Sequence, residues 1–104
     1  MSNEEQKILS YLKNNAQGKA NKKTSNEIQQ ATGLPAGGNT NEFIREVIRK
    51  LIYNGALIGS DNGGYWIIQN KNELEAVVNG LNSRAKEIQE RANALQGNWE
   101  NINE

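Results

Sequence analysis

Apolar side chains recur at Phe43, Ile44, Val47, Ile48, Leu51 and Ile52, the i, i+3, i+4 spacing of an amphipathic helix with one broad buried face. Thr40, Asn41, Arg45, Glu46, Arg49 and Lys50 fall between or before them, so the other face is polar and carries three cations. Asn39 has the side chain of an N-cap, and Glu42, three residues on, completes a capping-box spacing. A helix is therefore expected from Asn39 to the break at Asn54-Gly55. Beyond it, Ala56-Leu57-Ile58-Gly59 and Tyr65-Trp66-Ile67-Ile68 read as two short strands. Ser60-Asp61-Asn62-Gly63-Gly64 joins them as a turn of residues that tolerate positive φ. So short a hairpin is marginal alone and has to pack on helices. Alternation sends Tyr65 and Trp66 to opposite faces, and at least one is expected in the core.

The chain before this stretch predicts two more helices. Ser2 to Glu5 has a capping-box spacing, and Ile8, Leu9, Tyr11 and Leu12 form one apolar face that ends near Asn14-Asn15 and Gly18. Gln17 to Lys23 is polar, basic and without period, so it is expected as a loop. Thr24-Ser25-Asn26-Glu27 is a second box, followed by Ile28, Ala31 and Leu34 as the buried contacts of a short helix. Gly33 sits where a helix end wants positive φ. From Leu34 through Pro35 to Gly38 the chain reads as a loop, and its glycines also allow a link that adjusts the next helix on a ligand.

After the hairpin, Asn70 and Glu73 again have cap spacing. Leu74, Val78, Leu81, Ala85, Ile88, Ala92, Leu95, Trp99 and Ile102 then follow at gaps that alternate between four and three. This is a heptad register sustained over about four heptads, longer than a small core requires. Gly80 and Gly97 each weaken the helix by about 1 kcal/mol relative to alanine. The seam can self-associate, fold back on the first helix or bind another protein. Its length favours a homodimer through Leu74, Val78, Leu81, Ala85, Ile88, Ala92, Leu95 and Trp99, and alanine at alternate seam positions suggests close approach, such as an antiparallel pair. The expected organisation is a domain over 1–69 and a coiled-coil-like helix over 70–104, a mainly α fold with a small β-hairpin.

Composition narrows the chemistry. With 36% hydrophobic residues in 104, either the core is small or part of the chain is extended and solvated. The absence of cysteine and histidine removes disulfides, Cys/His zinc sites, thiol nucleophiles and imidazole bases. No long apolar run is present, and the start, MSNEEQK, lacks the apolar centre of a signal peptide, so a soluble cytoplasmic protein with no membrane partner is expected. Glu42 and Glu46 lie one turn apart with no metal-binding cluster or nucleophile beside them, so no enzyme, cofactor or small-molecule ligand is expected. The formal net charge of zero conceals a division. Residues 1–60 carry eight cations against five anions, a net +3, and residues 61–104 carry four against seven, a net −3.

Residues 3–69 resemble the winged helix-turn-helix family. Thr24-Ser25-Asn26-Glu27-Ile28-Gln29-Gln30-Ala31-Thr32-Gly33-Leu34 is similar to the positioning helix and turn. Arg45 to Leu51 followed by Asn54-Gly55-Ala56-Leu57-Ile58 resembles the end of the recognition helix and the first wing strand. Asp61-Asn62-Gly63-Gly64-Tyr65-Trp66-Ile67 resembles the wing tip and return strand. Together with the trailing heptad helix, these are similar to small proteins encoded by bacteriophages and prophages. The resemblance implies a sequence-specific double-stranded DNA-binding protein, acting in transcription regulation or at a replication origin. It implies base contacts from Asn39, Thr40, Asn41, Arg45 and Arg49. Lys22, Lys23 and Thr24, at the start of the second helix, are placed to hold phosphate. The glycine connector is longer than the family's tight turn, and the wing tip has Asp61 but no cation, which moves the expected grip from wing to helix. The competing expectation is a protein-interaction module, an inhibitor or adaptor of a host protein.

Overall fold

The computed structural model describes residues 1–103; Glu104, the end of the expected C-terminal segment, lies outside the described residues. The order is helix, helix, helix, strand, strand, helix, a mainly α fold with one small hairpin. Helices α1 (Asn3–Asn15), α2 (Ser25–Thr32) and α3 (Glu42–Tyr53) precede strands β1 (Ile58–Asp61) and β2 (Gly64–Ile67), and α4 (Lys71–Asn103) follows. Met1–Leu74 forms one compact unit, and a second begins at Glu75. The first turn of α4 thus belongs with the N-terminal unit, whose end lies five residues beyond the boundary expected at 69/70. The Glu73 carboxylate explains this, accepting from the backbone amides of Gln69 at 2.9 Å and Lys19 at 3.1 Å.

Each helical start tests a cap expected from sequence. Ser2 accepts from the Glu5 amide at 3.1 Å. Thr24 and Glu27 form both bonds of a capping box, at 3.1 and 2.9 Å, and Asn70 accepts from the Glu73 amide at 2.9 Å. The exception is α3, which begins at Glu42 and not near Asn39. Asn41 occupies the left-handed region at φ 57, ψ 44, which a right-handed helix cannot contain. Glu42 turns its carboxylate to the Thr40 hydroxyl at 2.7 Å, so it is not free to cap Asn39.

The core of the N-terminal unit is helical. Ile8 and Leu12 of α1, Ile28 of α2 and Ile44, Val47, Ile48 and Leu51 of α3 are buried together with Ala16, Leu34 and Ile58. Two expected core residues lie outside it: Ala31 is exposed, and Ile52 is 43% exposed at the edge of the α3 face. The connector is anchored more than its glycines suggest. The Leu34 carbonyl accepts from the Gln29 side chain at 2.9 Å, and the Ala36 carbonyl accepts from the Phe43 amide at 3.0 Å. Gly33 ends α2 in the left-handed region, at φ 69, the position predicted for it.

The strands run two residues later than expected for β1 and one earlier for β2, pairing Ile58 with Ile67 and Asp61 with Gly64. The turn shortens to Asn62-Gly63, because the Asp61 carboxylate accepts from the Gly63 amide at 2.7 Å and closes it locally. The expected loop over Gln17 to Lys23 contains a single 3-10 turn at Lys19–Asn21 and lies along the free edge of β2. The Ile67 amide donates to the Ala16 carbonyl at 2.7 Å, and Lys23 and Tyr65 exchange two backbone bonds at 2.8 Å. Both edges of β2 are therefore occupied. Tyr65 and Ile67 pack against the helical core. Trp66, 2% exposed, turns to the other face, where Gly59 lies across the ladder and the Lys19 ammonium stands 5.9 Å from its ring centre.

The heptad stripe of α4 is largely exposed. Val78, Leu81, Ile88, Leu95, Trp99 and Ile102 are 43, 52, 62, 64, 63 and 77% exposed, and Ala85 and Ala92 are exposed with them. Among the described residues no helix is long and apolar enough to cross a membrane.

Candidate nucleic-acid interface

The buried stripe of α3 fixes what the helix shows outside. Ile44, Val47, Ile48 and Leu51 face inward, which leaves Glu42, Arg45, Glu46, Arg49 and Tyr53 along the opposite side. Among the described residues Arg45 makes no ion pair, whereas the Arg49 guanidinium lies 2.7 Å from the Glu46 carboxylate. The two arginines stand one turn apart, so a single groove can receive both. Tyr53, 81% exposed, extends the row by another turn. Its position four residues after Arg49 is the sequence signal that places it there.

Of the residues expected before Arg45, Asn39 and Thr40 are exposed but lie in the bend ahead of the helix. The Thr40 hydroxyl is engaged with Glu42, whose pKa is held below the ordinary carboxylate range chiefly by that bond. Asn41 does not belong to the exposed row. It is 7% exposed, and its side-chain amide donates to Asn26 Oδ1 at 2.5 Å and to Ser25 Oγ at 3.2 Å. The expectation that it meets a base edge is corrected to a structural role: it fastens the start of α3 to the start of α2. The periodicity argument failed there because Asn41 precedes the helix and is not on its 3.6-residue pattern.

Lys22, Lys23 and Thr24 are contiguous, yet their side chains serve different ends. The Lys22 ammonium binds the Asp61 carboxylate at 2.9 and 3.3 Å, and Lys19 approaches the same group at 4.0 Å. The bond from Lys22, supported by the Gly63 amide, holds the Asp61 pKa below its ordinary value. Asp61 thus neutralises part of the positive charge at the base of the hairpin. Thr24 uses its hydroxyl and its amide in the capping box, so neither is a free phosphate ligand. Lys23 is held in place by its backbone bonds to Tyr65, is half-buried, and makes no ion pair among the described residues. Arg45, Lys23 and the exposed Lys50 make no close ion pair among the described residues, although Arg45 and Lys23 lie near enough to Glu42 and Glu27 to help lower their pKa values.

No group of three or more acidic, histidine or cysteine side chains is placed to hold a metal among the described residues. A cleft of about 520 Å³ runs between α1 and α2 past Tyr11, Asn14, Ala31 and Thr32 and is open to solvent. No family model, curated protein or solved structure matches this chain.

Proposed function

We propose that the chain is a non-enzymatic, double-stranded DNA-binding protein of the winged-helix kind. In this reading it works as a homodimer through α4, in transcription regulation or at a replication origin, in the cytoplasm of a phage- or prophage-type system. The observation that carries the reading is the α3 row. Arg45 and Arg49 are presented one turn apart on a helix whose other side is anchored by four buried aliphatic residues. A rigid helix with two guanidinium groups in line suits major-groove guanines, each bidentate contact contributing about 1–3 kcal/mol of discrimination. Lys50 and Lys23 add phosphate contacts that carry no sequence information.

Titration with duplex DNA at several salt concentrations tests this. Affinity is expected to fall steeply as salt rises, and the Arg45→Ala, Arg49→Ala double variant is expected to lose sequence preference and most affinity. Absence of binding at low salt sinks the reading. It would leave the second one, an inhibitor or adaptor that grips another protein, which is favoured by the exposed seam of α4 and by the carboxylates interleaved with the arginines of α3.

A further inference from the structure

The seam of α4 separates its side chains by size. One row holds Leu74, Leu81, Ile88, Leu95 and Ile102; the other holds Val78, Ala85, Ala92 and Trp99. The middle of the small row is alanine, and the middle of the large row is leucine and isoleucine. In a parallel in-register pair each residue meets its own copy. Ala85 would then face the partner's Ala85 and Ala92 the partner's Ala92, leaving two thin central layers, while Trp99 would crowd the partner's Trp99. In an antiparallel pair the rows alternate across the seam. Every alanine then meets a leucine or isoleucine, and Trp99 meets an aliphatic residue, whichever heptad register is adopted. Layer volumes then vary less than in the parallel pair, with no Ala–Ala or Trp–Trp layer, as close packing favours.

The flanks do not oppose this strongly. Glu75, Asn82, Gln89 and Gln96 follow the large row, and Val77, Arg84, Arg91 and Asn98 precede the small one. Antiparallel pairing sets the amide-rich flank against its own kind. It brings the arginine flanks together, but these are exposed, long side chains whose repulsion is screened by salt. A parallel pair would gain no salt bridge in exchange, since Arg84 and Arg91 would face glutamines.

We propose that α4 pairs with α4 of a second copy in antiparallel orientation, seating Ala85 and Ala92 against the large aliphatic residues of the partner. This rests on the reading of the chain as a homodimer. The N-termini of the two α4 helices, each continuous with a Met1–Leu74 unit, then lie at opposite ends of the pair.

The chain has no native cysteine, so Ala76→Cys, on the side of α4 away from the seam, accepts a single spin label. Pulsed electron resonance on the full-length protein without DNA, with its mass measured by light scattering, reads the orientation. An antiparallel dimer is expected to give label separations of about 40–50 Å, and a parallel one about 25 Å, from 1.5 Å of rise per residue and the width of two packed helices. A dimer with the short distance overturns the orientation and leaves the DNA-binding homodimer standing. A monomer at high micromolar concentration overturns the pairing itself, while DNA binding is judged separately by the salt titration. As a second variant, Ala85→Leu with Ala92→Leu overfills antiparallel layers and fills parallel ones. The dimer is expected to weaken, its dissociation constant rising by about tenfold or more, and a tightened dimer would count against the proposal.

Discussion

Asn41 donates its side-chain amide to Asn26 at 2.5 Å across the gap between α3 and α2, from a backbone held in the left-handed region at φ 57. The two asparagines set where α3 begins. Asn41→Ala removes the bonds and puts a Cβ-bearing residue with no local hydrogen bond into that region, so it is expected to cost about 2–4 kcal/mol. Asn41→Gly removes only the bonds and should cost about 1–2 kcal/mol less than alanine. Urea unfolding of the two variants separates the terms.

Glu46 restrains Arg49 at 2.7 Å on an exposed surface, where the pair itself adds little stability. Glu46→Gln should leave unfolding within about 0.5 kcal/mol of the parent. Under the DNA-binding reading it frees a guanidinium and removes a negative charge, so affinity for duplex DNA at low salt should rise by about three- to tenfold. An unchanged isotherm would count against α3 as the contacting helix.

Gly59 lies against the indole of Trp66, and a Cβ at position 59 would approach the ring to 2.7 Å. Because ring and strand are both held, Gly59→Ala is expected to destabilise by about 1–3 kcal/mol. In a Trp99→Phe background the emission of Trp66 should shift to the red as water reaches its ring. Unshifted emission with parental stability would mean that the hairpin gives way easily.

The Glu27 carboxylate accepts from the Thr24 amide at 2.9 Å, and this bond, with the Thr24 hydroxyl next, holds its pKa below the ordinary value. A carboxyl depressed in the folded state stabilises the fold above its unfolded pKa and loses that contribution as pH falls through the folded value. The cap should therefore weaken only below about pH 4.3. In a proton NMR titration the Thr24 amide shift should follow Glu27 with a midpoint below that pH. In Thr24→Ala the Glu27 midpoint should move up.

Much of this architecture is local and so can be read from order alone. The Ser2, Thr24 and Asn70 caps each depend on a side chain reaching an amide three residues away, and all three form. Gly33 is required wherever α2 ends with a left-handed residue. The expectations that failed depend on long-range partners. Asn39 was legible as a cap, but Asn26 and Ser25, more than a dozen residues away, claim Asn41 and move the helix start. Lys22 was legible as a cation beside α2, but Asp61, 39 residues on, takes its ammonium. In the candidate interface the outward placement of Arg45 and Arg49 was legible because they lie inside a helix, where the 3.6-residue period operates. Asn41 was misplaced because it lies just before one.

By itself the sequence determined the number and order of the elements, the inward face of α3 and the heptad seam of α4. Apolar periodicity and capping are short-range, and each is complete within a few residues. Tertiary structure alone decided that the Gln17–Lys23 loop closes the free edge of β2 and that Trp66 is buried on the outer face of the hairpin. It also decided that Asn41 is fastened inward while Arg45 and Arg49 remain outside. Backbone groups and side chains that meet across the fold compete for the same partners. The winner depends on which segments the core brings together, and no local spacing encodes that.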